Sequence, residues 1–215
     1  MQHATRILAI RHGETAWNVD TRIQGHLDIP LNDTGRWQAQ RLARALAARG
    51  EAVAAIYSSD LQRAHATAHA IAAATGAPLH THAGLRERRF GVFEGRTWAE
   101  LETGWPEDCA RWRQRDPHWA PQGGESLLQL RERILATLHE LAARHGGQQI
   151  VLVAHGGVLD QLYRAATGQD LQAPRTWALG NAALNRLLWT PDSLTLVGWA
   201  DTSHLEDDSL DERIA

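Results

Sequence analysis

The feature that most constrains this chain is an alternation of short apolar runs with longer segments of helical period. Residues 7–10, 53–57 and 150–153 are Val-, Ile- and Leu-bearing runs of strand length. Asn32 or Thr34 opens a helix that carries Trp37, Leu42 and Leu46 and ends near Gly50. Asp60 is a candidate N-cap for a helix over 61–75 that stops at Gly76. The clearest helix runs over 126–144, with Leu127, Leu130, Ile134, Leu138 and Leu141 on one stripe. The run 150–153 is apolar on both faces, as central parallel strands are, and a helix over 158–166 closes at Gly168. Residues 183–189 and 194–199 flank Thr190, Pro191, Asp192 and Ser193 and read as a hairpin. Strands that alternate with helices predict an α/β fold, a three-layer α/β/α sandwich around a mainly parallel sheet. At 215 residues one domain over 1–200 suffices, with a covering segment at about 96–125 and an acidic tail over 201–215.

Composition excludes several roles. No apolar run approaches the ~20 residues of a membrane span, and the start lacks the apolar core of a signal peptide, so a cytoplasmic location is expected without membrane partners. Cys109 is the sole cysteine and reads as a packed thiol in a reducing compartment. A net charge of -3 and a pI near 6.4 argue against nucleic acid as a partner. All 22 basic residues are Arg, which removes lysine-based phosphate loops and Schiff bases from the mechanisms available. A homodimer through an edge strand or a surface helix is compatible with the sequence.

Two segments are built alike. The run 7–10 leads into Arg11, His12 and Gly13; the run 150–153 leads into Ala154, His155, Gly156 and Gly157. Ligands of open α/β sheets sit beyond the carboxyl ends of the strands, so neighbouring strands would bring both imidazoles to one pocket. The glycines let the backbone approach a bound group, which makes Gly156 a candidate contact. A phosphoryl group carries about -1.5 to -2 charges and needs fixed positive donors. Arg11 adjoins His12, and Arg63 falls in the first turn of the helix introduced by Ser58, Ser59 and Asp60, where the helix terminus also favours an anion. A neutral His can attack phosphorus, and a carboxyl group whose pKa rises beside bound phosphate can protonate the leaving oxygen. Glu87 is the candidate acid and Glu14 the alternative.

These residues resemble the histidine phosphatase superfamily, which includes the phosphoglycerate mutases. The resemblance rests on Arg11-His12-Gly13-Glu14-Thr15-Ala16-Trp17-Asn18, Gln24-Gly25 with Asp28, Pro30 and Leu31, and Ser58-Ser59-Asp60-Leu61-Gln62-Arg63-Ala64 with Thr67-Ala68. It continues through Leu85, Glu87, Phe90-Gly91, Glu94-Gly95, Gly123-Gly124-Glu125-Ser126 and Ala154-His155-Gly156-Gly157. It implies a phosphoglycerate mutase-like fold, His12 as phosphoryl acceptor and Glu87 as proton donor and later base. It also implies a phosphate pocket of Arg11, Arg63 and His155, with Asn18, Gln24 and Gly25 touching substrate, and no metal or other cofactor.

The short stretch between Glu87 and His155 looks like the phosphatase branch, so the expected activity is hydrolysis of a small phosphorylated metabolite. Mutase activity on phosphoglycerate is the first alternative, and the tail from Thr202 resembles short bacterial mutase-like proteins. A non-catalytic phosphate-binding protein is the second, and a metal-dependent hydrolase built on His12, His155 and Glu87 a third. Trp98, Trp105, Trp112 and Trp119 recur every seven residues, but Gly104, Pro106 and Pro117 break any single helix there. They are expected to pack a cover or a core, among Arg111, Arg113 and Arg115, one of which could meet a substrate carboxylate. His65 and His69 have metal-pair spacing without a third ligand and read as surface residues, as do His80 and His82 on an exposed strand. Ser58 is expected to shape the turn that presents Arg63.

Overall fold

The computed structural model describes residues 3–206. Six strands form one sheet in the order β3-β2-β4-β1-β5-β6: β1 (Thr5–Arg11), β2 (Ala55–Ser58), β3 (Leu79–Thr81), β4 (Gln149–Ala154), β5 (Leu184–Thr190) and β6 (Ser193–Asp201). The pairs β1/β4, β2/β4 and β2/β3 are parallel; β5 runs antiparallel to both neighbours. Alternate strand residues face opposite helical layers. Leu8, Ile10, Ile56, Val151 and Val153 pack against α2 (Asp33–Ala48) and α3 (Gln62–Thr75). Ile7, Ala9, Tyr57, Ile150 and Leu152 pack against α6 (Leu127–Ala142) and α7 (Gly156–Thr167). This is the expected three-layer α/β/α sandwich, and β4 is buried along its whole length because helices cover both faces.

Local chemistry sets the helix ends. Asn32 caps α2 through its side-chain oxygen on Gly35 N, and reciprocal capping boxes close the short α1 (Ala16–Val19), through Thr15 and Asn18, and α6, through Ser126 and Gln129. The expected cap on α3 is different. Leu61 occupies the cap position, while Asp60 is turned to the Arg86 guanidinium and a distant carboxylate, Asp28, accepts from Gln62 N at 2.7 Å. α7 begins two residues earlier than its apolar pattern indicates, so Gly156 and Gly157 lie in its first turn. β3 escapes the apolar pattern because it is a three-residue edge strand: His80 is exposed on it, but His82 lies just beyond and its Nδ1 accepts from Gly84 N.

The segment between Glu87 and α6 has its own small core. α4 (Trp98–Gly104) and α5 (Pro106–Arg113) are separate helices, broken at Trp105 with Pro106 opening the second. The four tryptophans therefore share no helical face. Trp105, Trp112 and Trp119 converge on fully buried Phe93 with ring centroids 5.9–6.0 Å away, and Trp98 meets Trp112 edge-on. Cys109 is buried in this cluster as a free thiol.

The carboxyl end of β6 is part of the fold. Asp201 pairs with Arg186 and Arg49, Leu205 packs on the α2/α3 core, and Arg41 donates to the carbonyl of His204. Residues 201–206 are thus anchored by pairing and packing that a count of acidic residues does not reveal. The rest of the acidic tail, 207–215, lies outside the described residues.

Candidate active site

The site is assembled where β1, β4 and β2 end. The parallel register pairs Arg11 with Ala154 and Ser58 with Val153, so the next residues out, His12, His155 and Ser59, become neighbours. His12 N continues the ladder to Ala154 O at 3.0 Å, and Ser59 N does so to Val153 O at 3.0 Å. The two imidazoles lie with centroids 5.1 Å apart.

Each imidazole is oriented by one hydrogen bond. His12 Nδ1 lies 2.7 Å from the carbonyl oxygen of Gly13, an acceptor, so the ring proton sits on Nδ1 and Nε2 keeps its lone pair. His155 Nε2 lies 2.8 Å from Ser59 Oγ, while its Nδ1 is buried without a partner. Burial holds both pKa values well below the usual 6.5, and the charges of Arg11 and Arg63 add to the effect. Both rings are neutral at pH 7.

Two guanidiniums flank them. Arg63 is held by the carbonyls of Gly25 at 2.7 Å and Leu27 at 2.8 Å, and Arg11 Nη1 by that of Leu179. In both, Nε is buried with no partner. Unsatisfied buried donors of this kind are rare, and an anion is the ligand that would satisfy them. Gly25 takes φ +52°, and a Cβ there would meet Glu94 Oε1 at 2.2 Å, so glycine is needed to present its carbonyl to Arg63. Thr67 Oγ1 accepts from Gly13 N at 3.0 Å and ties α3 to the His12 turn.

Glu87 is fixed at the α7 terminus. Gly157 N lies 3.1 Å from each carboxylate oxygen, and Arg88 N donates to Oε1 at 2.7 Å. A Cβ at residue 157 would come within 2.2 Å of Glu87 Oε1, so the carboxylate sits there because residue 157 has none. Glu14, the alternative acid, instead accepts from Asn32 Nδ2 at 2.8 Å at the start of α2.

An open cavity of about 580 Å³ lies above, walled by Arg11, Asn18, Glu87 and Gly156 and, farther out, by Arg22, Arg88, Arg115, Asp160, Gln161 and Arg175. His12, Arg63 and His155 are at most 3% exposed and do not line it; they form the buried end of the site. Asn18 Oδ1 accepts from Thr15 N and Thr15 Oγ1, which orients its amide. Gln24 lies outside the cavity wall, with Oε1 buried and unpartnered. Of the three arginines expected near a substrate carboxylate, Arg115 lines the cavity, whereas Arg113 turns to Glu102 and the Trp98 face.

Several contributors carry no sequence signal. Asn181 donates to His12 O at 2.9 Å from a loop without periodicity, and His26 Nε2 meets Glu87 O at 2.8 Å. Arg88, next to Glu87, is buried against Phe90, Trp112 and Trp119, and burial lowers its pKa to about 10. The His65/His69 rings lie 6.5 Å apart in the α2/α3 groove, and among the described residues no three His, Cys, Asp or Glu side chains are arranged to hold a metal.

Paired neutral imidazoles, two guanidiniums with unpartnered donors and a carboxylate at the ends of parallel strands make a site suited to a phosphate ester. The chain belongs to the histidine phosphatase superfamily (branch 1), whose pattern matches residues 7–202. It is 40% identical to the phosphoglycerate mutase-like protein 4 of Arabidopsis thaliana over 94% of this chain and 87% of that one. Identity to the metal-independent phosphoserine phosphatase of the same plant is 37%, over 94% and 83%. Among solved structures, a mycobacterial glucosyl-3-phosphoglycerate phosphatase in complex with VO3 matches with a TM-score of 0.78 and 33% identity, covering 92% of this chain and 99% of that one. The chain is accordingly a phosphatase of this family, a phosphoric monoester hydrolase.

Proposed function

We propose that the enzyme hydrolyses small phosphomonoesters in two steps through a phosphohistidine on His12. The observation that carries this is the bond from His12 Nδ1 to Gly13 O, which, with a depressed pKa, leaves a neutral ring whose Nε2 is the nucleophile. In the first step Nε2 attacks phosphorus, the P–O ester bond breaks and Glu87 gives its proton to the leaving alkoxide. In the second, Glu87 as carboxylate takes a proton from water, the oxygen attacks phosphorus, the P–N bond breaks and phosphate leaves. The open donors of Arg11, Arg63 and His155 suit the charge that spreads over the phosphoryl oxygens. Asn18 and Gly156 complete the cradle, the latter as the first residue of α7, while Gln24 and Gly25 support it from outside the cavity wall, Gly25 by holding Arg63.

Beyond Arg11 and Glu87, four arginines against one carboxylate line the cavity, which favours a leaving group with its own carboxylate. Phosphoserine and glucosyl-3-phosphoglycerate, in the names of two relatives, both have one. The α4–α5 segment acts as the lid over this end. The name of the metal-independent phosphoserine phosphatase relative supports chemistry without a metal, and the lone buried thiol suits the cytoplasm. A mutase reading draws on the mutase-like name of the plant relative.

The test is phosphate release from p-nitrophenyl phosphate, phosphoserine and 3-phosphoglycerate, with rapid-quench trapping of acid-labile protein-bound phosphate. Release and trapping that vanish together in His12→Ala support the reading. Conversion of 3- to 2-phosphoglycerate without release assigns a mutase, and silence in every assay assigns a binding protein.

A further inference from the structure

We propose that Asp160 and Gln161, on the second turn of α7, form an acceptor subsite that selects a neutral hydroxyl on the leaving group and discriminates against an ammonium at the same position. The inference rests on the phosphatase reading and extends it to the substrate's other end. Both residues line the cavity and both are more than nine-tenths buried, Asp160 at 6% and Gln161 at 1% exposure. Each has one buried acceptor atom without a partner, Asp160 Oδ1 and Gln161 Oε1. Two adjacent orphan acceptors are costly unless a bound group donates to them.

The other Asp160 oxygen shows why that group should be neutral. Oδ2 accepts from Arg164 Nε at 2.9 Å and from Arg115 Nη2 at 3.1 Å. Arg164 is fully buried, held also by the carbonyls of Asp170 and Ala173 and stacked over Trp177. The carboxylate charge is thus spent on two guanidiniums, and Gln161 has none. An ammonium would enter among Arg11, Arg22, Arg88, Arg115 and Arg175; the other carboxylate of the cavity, Glu87, is held by the Gly157 and Arg88 amides and carries the proton for the leaving oxygen in the proposed first step. A hydroxyl donates equally well and bears no charge. The subsite lies about one helical turn, ~5.4 Å of rise, beyond the Gly157 amide that fixes Glu87, which places it on the leaving-group side of the phosphorus.

Three esters isolate the effect because they differ at one carbon: 3-phosphoglycerate has a hydroxyl there, phosphoserine an ammonium and 3-phosphopropionate, here the phosphate ester of 3-hydroxypropionate, a hydrogen. The expected order of kcat/KM is hydroxyl above hydrogen by about tenfold, with ammonium lowest. In Asp160→Asn the amide oxygen must stay toward the two guanidiniums, which puts the NH2 where the Oδ1 acceptor was. The ratio of 3-phosphoglycerate to 3-phosphopropionate should then shrink, whatever the variant does to the turnover of both. Because this change touches buried Arg164, Gln161→Met serves as the second variant and should shrink the same ratio. A ratio unchanged in both variants, an equal fall for all three esters, or a preference for phosphoserine overturns the subsite. If the wild type releases phosphate from none of them, the phosphatase reading fails, and the subsite is then judged by equilibrium binding to the His12→Ala protein. Tighter binding of 3-phosphoglycerate than of 3-phosphopropionate, lost in Gln161→Met, upholds it; equal binding rejects it.

Discussion

The imidazoles of His12 and His155 stand 5.1 Å apart, each one residue beyond a register-paired position of two central parallel strands. A charge on either ring is disfavoured there, because both are buried and both face Arg11 and Arg63.

The pH dependence follows. The folded-state pKa of each His lies below its unfolded value near 6.5, so in that window the unfolded chain binds more protons. The stability these sites contribute is complete above pH 6.5 and is lost as pH falls from there toward the folded values, by about 1.4 kcal/mol per pH unit per imidazole. Thermal unfolding in phosphate-free buffer should show Tm falling from pH 7.5 to 5.5, with a shallower slope in His12→Gln. On the kinetic side, kcat/KM for p-nitrophenyl phosphate should show no inflection at 6.5, because His12 is still neutral there. A drop centred at 6.5 would mean that the ring is hydrated and titrates normally.

Chelation should be without effect. Phosphate release measured after dialysis against EDTA is expected to equal that of the untreated enzyme. Loss of activity that zinc or manganese restores would instead point to the metal-dependent alternative.

Glu87→Gln should slow alkyl phosphates by about 10²–10⁴-fold and nitrophenyl phosphate far less, since nitrophenolate leaves without a proton. Equal slowing of both would remove Glu87 as the acid.

Gly157→Ala should reproduce that pattern, because the new Cβ cannot coexist with Glu87 Oε1 at 2.2 Å. The double variant Gly157→Ala/Glu87→Gln should be no slower than the slower single one, as expected for residues that act as a unit. Additive losses in the cycle would separate the two roles.

Phe93→Ala should cost about 3–5 kcal/mol, because Phe93 is fully buried where three tryptophans meet. Denaturant unfolding followed by tryptophan fluorescence measures it. A loss under 1 kcal/mol would mean that the α4–α5 segment repacks freely.

The strands β1 and β4 and the helices α2, α6 and α7 were legible because burial on one or both faces imposes a period on the residues themselves. His12, Arg11 and His155 were legible as candidates because reactive residue types sit at strand ends beside glycines, and Arg63 because it opens a helix behind Ser58, Ser59 and Asp60; Glu87 rested on the family resemblance. Asp28 as the remote cap of α3, Ser59 on His155 and Asn181 on His12 were not, since each acts through a contact between segments far apart in the chain. The sequence likewise marked the Trp-rich segment as a break in helical order without showing that its rings gather on Phe93.

By itself, then, the order of residues determined the layered α/β architecture and the inventory of candidate phosphate-handling groups, both of which are written in local pattern. The tertiary structure alone decided which groups are spoken for. The register of β1 on β4 makes two distant histidines neighbours, the missing Cβ of Gly157 seats Glu87, and Arg115 and Arg164 occupy one oxygen of Asp160 while leaving the other. Hydrogen-bond satisfaction and burial are properties of packed segments, and no single segment contains them.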